Sequence, residues 1–406
     1  MDTRLSIAMI VRDEAENIQR ALDSVRALGE LVAEVCVYDT GSVDGTAELA
    51  EAAGARVERG SWDDDFSRAR NAALDMCRTE WVLMMDADEV VQADEMLFPA
   101  LLELGVREGI HAFHVLQVNT GDDGTATDSV LQTRLLRPAA ARYVGRIHEQ
   151  VDARHGELVS ESAPQDVIRL HHSGYAHAER TAAKLARNSA ISQQALADPA
   201  LADEERSRIR LHHARSIEAS DPSSAEAGYR ELAAEQGPYQ VRAQEHLAHL
   251  LLDQERWEDA ALALEALTAT SSNKPFAAFL FARWCLGVGE LDTGLSLLRE
   301  LDQVWTSGGV IIPQHLLYTT RARVADELGL WDEALSCRLT AMASPGAGQA
   351  EVDAMFHQWG ARPADPLMQL LREVLPVADP AIEDCLHRTR SASTQVARAV
   401  QRRRYR

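Results

Sequence analysis

The chain has 406 residues, 46% of them hydrophobic and 26% charged, and a formal net charge of −22. That length exceeds one ordinary core and implies at least two domains, while the strong negative charge argues against a nucleic-acid or anionic-lipid surface. No stretch reaches the ~20 apolar residues of a membrane span, and the five cysteines are odd in number and lack CxxC spacing, so a reducing, cytoplasmic setting is expected rather than a disulfide framework or a zinc site.

Leu5–Val11 is short, apolar and partly β-branched, and reads as a buried strand that stops at Arg12-Asp13-Glu14. Residues 15–28 carry apolar positions at helical spacing, ended by Gly29. A second strand, Glu34–Tyr38, runs into the loop Asp39-Thr-Gly-Ser-Val-Asp-Gly-Thr46, and a helix follows from Thr46 to Ala53. A short strand over 55–58, a helix over 67–76 and a buried strand at Trp81–Met85 complete the alternation, the last ending on Asp86-Ala-Asp88. Strand and helix in turn predict a mostly parallel sheet with helices on both faces. In such sheets ligands bind beyond the carboxyl ends of the strands, where Asp13, Asp39, Asp86 and Asp88 converge.

From about 105 to 175 the pattern turns β-rich, with His111–Val118, a Gly121-Asp-Asp-Gly124 turn and Gln132–Arg137. Beyond Glu179 the chain is helical and rich in Ala and Leu. Comparable helix starts recur at Trp257, Leu291 and Trp331, spaced by 34 and 40 residues, with an earlier copy around Ser224–Leu232. A period near 34 is that of tetratricopeptide repeats. The expected domains are 1–178 (α/β), 179–220 (helical connector), 221–345 (tetratricopeptide-like repeats) and 346–406 (a helical segment ending in the basic Gln401–Arg406).

Asp86 and Asp88, one residue apart past a buried strand, can turn toward one pocket. Hard oxygen ligands suit Mg²⁺ or Mn²⁺ and a diphosphate. The surrounding motifs resemble glycosyltransferase family 2, which has the GT-A fold: Met9–Glu14, Tyr38–Thr46, Trp62–Asn71, Asp86–Glu89, Arg134–Arg137, Gly145–Glu149 and His172–Tyr175 stand in the family's order. The resemblance implies a UDP-sugar donor bound by Asp13, Asp39, Arg70, Asn71 and Asp86. It also implies a metal held by Asp88 with Asp86 and His172; His171 competes for the last place, and the alternative for Asp39 is a cap of its turn or of the helix beginning near Thr46. Glu149 is the candidate general base, with His148 as runner-up; both also suit a structural or sugar-contacting role.

The overall plan is similar to that of the peptide-modifying transferases of glycosylated bacteriocins. Hexose transfer to Cys, Ser or Thr of a peptide held by the repeats is therefore expected, with a polysaccharide or lipid-linked acceptor as the alternative. Helical repeats offer a concave surface for extended peptides, or a homodimer contact. The remaining alternative is a non-catalytic scaffold. A dinucleotide fingerprint and a P-loop are both missing after the first strand.

Overall fold

The structure, a computed structural model, describes residues 5–120, 126–172, 178–344 and 349–359. The chain forms two compact units, Met1–Asp122 with Ser129–Ala243, and Asp123–Asp128 with Gln244–Arg406. That division falls later in the chain than the 178/179 boundary expected from the sequence.

In the first unit, β1 (Leu5–Val11) lies between β2 (Val32–Asp39) and β4 (Trp81–Met85), parallel to both, and β3 (Arg56–Arg59) extends the sheet beyond β2. Burial on both faces explains why β4, and β1 apart from Ser6, are apolar rather than alternating. Leu5, Ile7, Met9 and Val11 pack with Ile18 and Leu22 of α1 (Ile18–Arg26) and with Phe98 and Leu102 of α4 (Leu97–Arg107). Ala8 faces the other way, toward Ala73 and Leu74 of α3 (Phe66–Met76). The helix α2 (Thr46–Ala52) follows the β2 exit loop. α1 starts at Ile18 rather than 15 because Glu14–Asn17 close a turn, with Asn17 N donating to Glu14 O at 2.9 Å. α4 approaches the sheet closely: a Cβ on Gly105 would stand 2.6 Å from Trp81.

The sheet continues from β4 through β7 (Ala126–Leu136), β6 (Ala112–Thr120) and β11 (Ile168–His172) to β5 (Glu89–Ala93). Here β4–β7 and β11–β5 are antiparallel and β6–β11 parallel, so the sheet is mixed where the sequence suggests a mostly parallel one. Five residues separate β6 from β7, fewer than the crossover a parallel pair requires. Those five include the expected Gly121–Gly124 turn, which lies outside the described residues. The elements β5 and α4 have no counterpart in the sequence reading.

A ribbon of β8 (Ala141–Val144) and β9 (Gln150–Ala153) frames the segment Gly145–Glu149, and β10 (Ser160–Ser162) pairs with β6. The helices α5 (Ala178–Leu196), α6 (Asp203–Ile217) and α7 (Pro222–Ala234) follow. Ile147 is buried with Ile191 and Ala195 of α5 and Ile209 of α6, so the connector helices pack directly on the Gly145–Glu149 segment.

In the second unit, after α8 (Gln240–Asp253), helices α9 (Trp257–Thr270), α11 (Leu291–Arg299) and α13 (Trp331–Ala343) begin at the three positions marked by the repeat. Each is followed by a partner: α10 (Lys274–Val288), α12 (Gln314–Glu327) and α14 (Gln349–Trp359). The longer second interval contains a hairpin of β12 (Val304–Trp305) and β13 (Val310–Ile312) between α11 and α12. Trp257 occupies the space above Gly287, where a Cβ would come within 2.1 Å of the indole. Among the described residues no helix is long and apolar enough to cross a membrane.

Candidate active site

The parallel registers Val11↔Asp39 and Met9↔Met85 level the ends of β1, β2 and β4, so the segments carrying Asp13, Asp39, Asp86 and Asp88 leave one sheet edge. Asp13 sits in the left-handed region at φ 56°. Its N–H donates to Ser42 Oγ at 3.0 Å, and its Oδ1 accepts from Val43 N at 2.8 Å. Asp39 is buried, and its Oδ1 accepts from Gly41 N (3.1 Å), Ser42 N (2.9 Å) and Ser42 Oγ (2.7 Å). Asp39 thus caps its own loop, and Asp13 ties the β1 exit to the β2 exit.

Behind this edge runs a chain of alternating charges. Glu149 Oε1 accepts from Arg70 Nε at 2.6 Å, and Arg70 Nη1 lies 3.0 Å from Asp86 Oδ1. Arg134 Nη2 donates to Asp86 Oδ2 and to Glu89 Oε1, both at 2.9 Å, and Asp86 N donates to Glu89 Oε2 at 2.8 Å. Burial alone would raise the Asp86 carboxyl, but Arg134 and Arg70 outweigh it and hold Asp86 well below the usual range. Burial pushes Glu89, fully enclosed, up to about 7 despite Arg134. Glu89 and Arg134 are central to this network although neither is a site candidate from the sequence. Their signal was present in Asp86–Glu89 and Arg134–Arg137, but not what they touch.

Asp88 and His172 meet at the same edge. His172 Nε2 lies 3.1 Å from Asp88 Oδ2, and His172 Nδ1 lies 2.9 Å from Asn119 Oδ1. His171 turns instead to Gln92, with Nε2 at 3.0 Å from Oε1. Of the three expected metal ligands, Asp88 and His172 are brought together while Asp86 is engaged by arginines. Among the described residues no group of three or more His, Cys, Asp or Glu is arranged to hold a metal. The Asp88–His172 separation suits a direct hydrogen bond and would also let the two side chains hold one divalent cation, since cis ligands with bonds of about 2.1 Å stand roughly 3.0 Å apart.

Asn71 uses its amide on the β8 backbone: Nδ2 donates to Tyr143 O at 2.8 Å, and Oδ1 accepts from Tyr143 N at 3.1 Å. His148 has φ 51° and stacks on His212 of α6 with ring centroids 4.1 Å apart. Its Nε2 is buried without a hydrogen-bond partner among the described residues, and burial pushes its pKa down to about 4. The ring is therefore neutral at pH 7. The His212 contact is not legible in the sequence, because it comes from a helix assigned there to a connector. Of His172–Tyr175, residues 173–175 lie outside the described residues.

Comparison with known proteins adds a family. Residues 6–137 match the sequence profile "Glycosyl transferase family 2", so the N-terminal part of the chain carries such a domain. A TPR repeat-containing protein of Synechococcus elongatus is 39% identical over 153 residues, which is 37% of this chain and 36% of that protein. The glycosyltransferase AglJ of Haloferax volcanii is 41% identical over 90 residues, 21% of this chain and 29% of that one. The chain thus matches about a third of the length of these relatives. A structure of glucosyl-3-phosphoglycerate synthase from Mycobacterium tuberculosis with Mn²⁺, UDP and glucosyl-3-phosphoglycerate is 25% identical, covering 29% of this chain and 44% of that one. Its TM-score of 0.24 carries neither fold nor chemistry across.

Proposed function

We propose that this chain, with its N-terminal family 2 domain, is an inverting glycosyltransferase that moves a hexose from a UDP-sugar, in the presence of Mn²⁺ or Mg²⁺, to a Cys, Ser or Thr side chain of a peptide. The observation that carries the reading is the pairing of Asp88 with His172, at the sheet edge where the exits of β1, β2 and β4 converge.

The nucleoside is assigned to the cross-tied exit loops of Asp13 and Asp39. Their internal hydrogen bonds preorganise the loop backbone, so that little freedom is lost on binding. Asp86 and Arg70 stand next along the edge, while Asn71 clamps the β8 backbone at Tyr143. A divalent cation on Asp88 and His172 would offset the negative charge growing on the departing diphosphate. Glu149 is assigned the acceptor's proton: Arg70 at 2.6 Å fixes the carboxylate in place, and a base must be ionised and positioned before it can act. His148 stacks on His212 and is assigned a packing role. The repeated helix pairs of the second unit suit an extended peptide, and the chain's net charge of −22 favours a basic one.

The test is hydrolysis and transfer from a panel of nucleotide sugars by the full chain, with and without EDTA and with Asp88→Ala. Turnover of one donor that EDTA and the substitution both abolish supports the reading. If the wild type neither turns over any donor nor binds UDP with Mn²⁺, a non-catalytic scaffold replaces it.

A further inference from the structure

We propose that Gln117 and Asn119 are positioning residues, forming with Arg134 a buried relay that directs His172 Nε2 toward Asp88 for the cation; this rests on the metal-dependent reading above. The two residues occupy alternate positions of β6, and Asn119 stands opposite His172 across the parallel β6–β11 pair. Gln117, Asn119, Arg134 and His172 are only 4–6% exposed. Water therefore does not compete for their hydrogen bonds, and each bond constrains the next.

The direction of the relay follows from one group that can only donate. A guanidinium has no acceptor, so the Arg134 Nη2 contact to Gln117, at 3.3 Å, must end on the amide oxygen Oε1. The Gln117 amide nitrogen then faces Asn119 and donates to its Oδ1 at 2.9 Å. That same oxygen lies 2.9 Å from His172 Nδ1. An oxygen can only accept, so Nδ1 carries the hydrogen. In the neutral ring that a cation requires, His172 Nε2 is thereby left to present a lone pair at 3.1 Å from Asp88 Oδ2, itself an acceptor. Two electron-pair donors held at the separation of cis ligands are complementary to a cation between them. Reversing either amide would place donor against donor at Arg134 or aim a hydrogen of His172 toward the cation. Arg134 also bridges Asp86 and Glu89, so one guanidinium orients both the charge network and the imidazole.

Outer partners of a ligating histidine typically contribute 10–100-fold in metal affinity. The experiment is Mn²⁺ binding to the full-length chain with UDP, read by electron paramagnetic resonance, for wild type, Asp88→Ala, Asn119→Leu and Asn119→Asp. Thermal melts check folding. Asn119→Leu should weaken Mn²⁺ binding about 10–100-fold. Asn119→Asp keeps an acceptor for both Gln117 and His172, and should bind within about threefold of wild type or more tightly. A folded Asn119→Leu chain with wild-type affinity, while Asp88→Ala loses binding, overturns the relay and leaves the metal reading standing. A wild type that binds no Mn²⁺ with UDP defeats the metal reading itself. Should Asn119→Leu fail to fold, nitrogen-15 spectra of histidine in the wild type decide the matter: an Nδ1–H tautomer for His172 supports the relay, and Nε2–H refutes it.

Discussion

Replacing Arg134 by Leu removes the guanidinium shared by Asp86, Glu89 and Gln117. Asp86 keeps Arg70 at 3.0 Å, whereas fully buried Glu89 loses its ion-pair partner in the network. Lost hydrogen bonds to buried groups should cost about 2 kcal/mol at pH 6, where most Glu89, with a pKa about 7, still holds its proton. Above pH 7 the wild-type group ionises against Arg134, while in the variant it must remain protonated. Each further pH unit then adds about 1.4 kcal/mol, giving roughly 3.5 kcal/mol at pH 8, within the range for breaking a buried pair. In the wild type the same group lowers stability as pH rises from its unfolded value of 4.5 toward 7, because the native state retains a proton that the unfolded chain releases. Urea denaturation in EDTA at pH 6 and 8, followed by hydrogen exchange on peptides of β4 and β6, reports on the first unit alone. An equal loss at both pH values, or a larger one at pH 6, would refute the reasoning.

Asn71→Leu should lower stability by about 2 kcal/mol through the unpaired Tyr143 backbone and leave UDP affinity, measured by calorimetry on folded protein, unchanged. Glu149→Gln should lower transfer by about 10²–10³-fold with the calorimetric Kd for UDP and Mn²⁺ little altered. Gly287→Ala drives a methyl into Trp257 and should destabilise the repeat unit by about 1–3 kcal/mol, seen as a lower Tm of that unit. Glu333 is held down to about 2 by Arg299 and then Arg321, a contribution present above its unfolded value of 4.5 and lost as pH falls toward 2. Glu333→Gln should therefore narrow its stability gap to wild type as urea midpoints are followed from pH 5 to pH 2.5.

Much of this was legible in the sequence wherever local rules decide. The runs Leu5–Val11 and Trp81–Met85 are strands with those limits, because burial on both faces makes them apolar at every position but Ser6. The repeat positions Trp257, Leu291 and Trp331 start helices because each is preceded by a non-helical residue and followed by an acid in the first turn. What stayed hidden depends on distant partners. Glu89–Ala93 is too short and mixed to declare itself, and becomes a strand by pairing with β11. Asn71 falls in a motif that suggests a nucleotide contact, yet motifs carry positions and not bonds. Gln117 and Asn119 are ordinary polar residues on a strand, and their role exists only through Arg134 and His172.

The pairing of β5 with β11 has a consequence for how the site is assembled. Strands β1 to β4 can associate once residue 85 has been synthesised, from neighbours close in the chain. Asp88 and His172 are 84 residues apart, and Glu89 reaches its place opposite His172 only when β11 arrives. Closing so long a loop is entropically unfavourable before the contact rewards it. The Asp88–His172 pair should therefore form later than β1 to β4, and a nascent chain interrupted before residue 168 would hold the Asp13 and Asp39 loops without the proposed cation ligand His172.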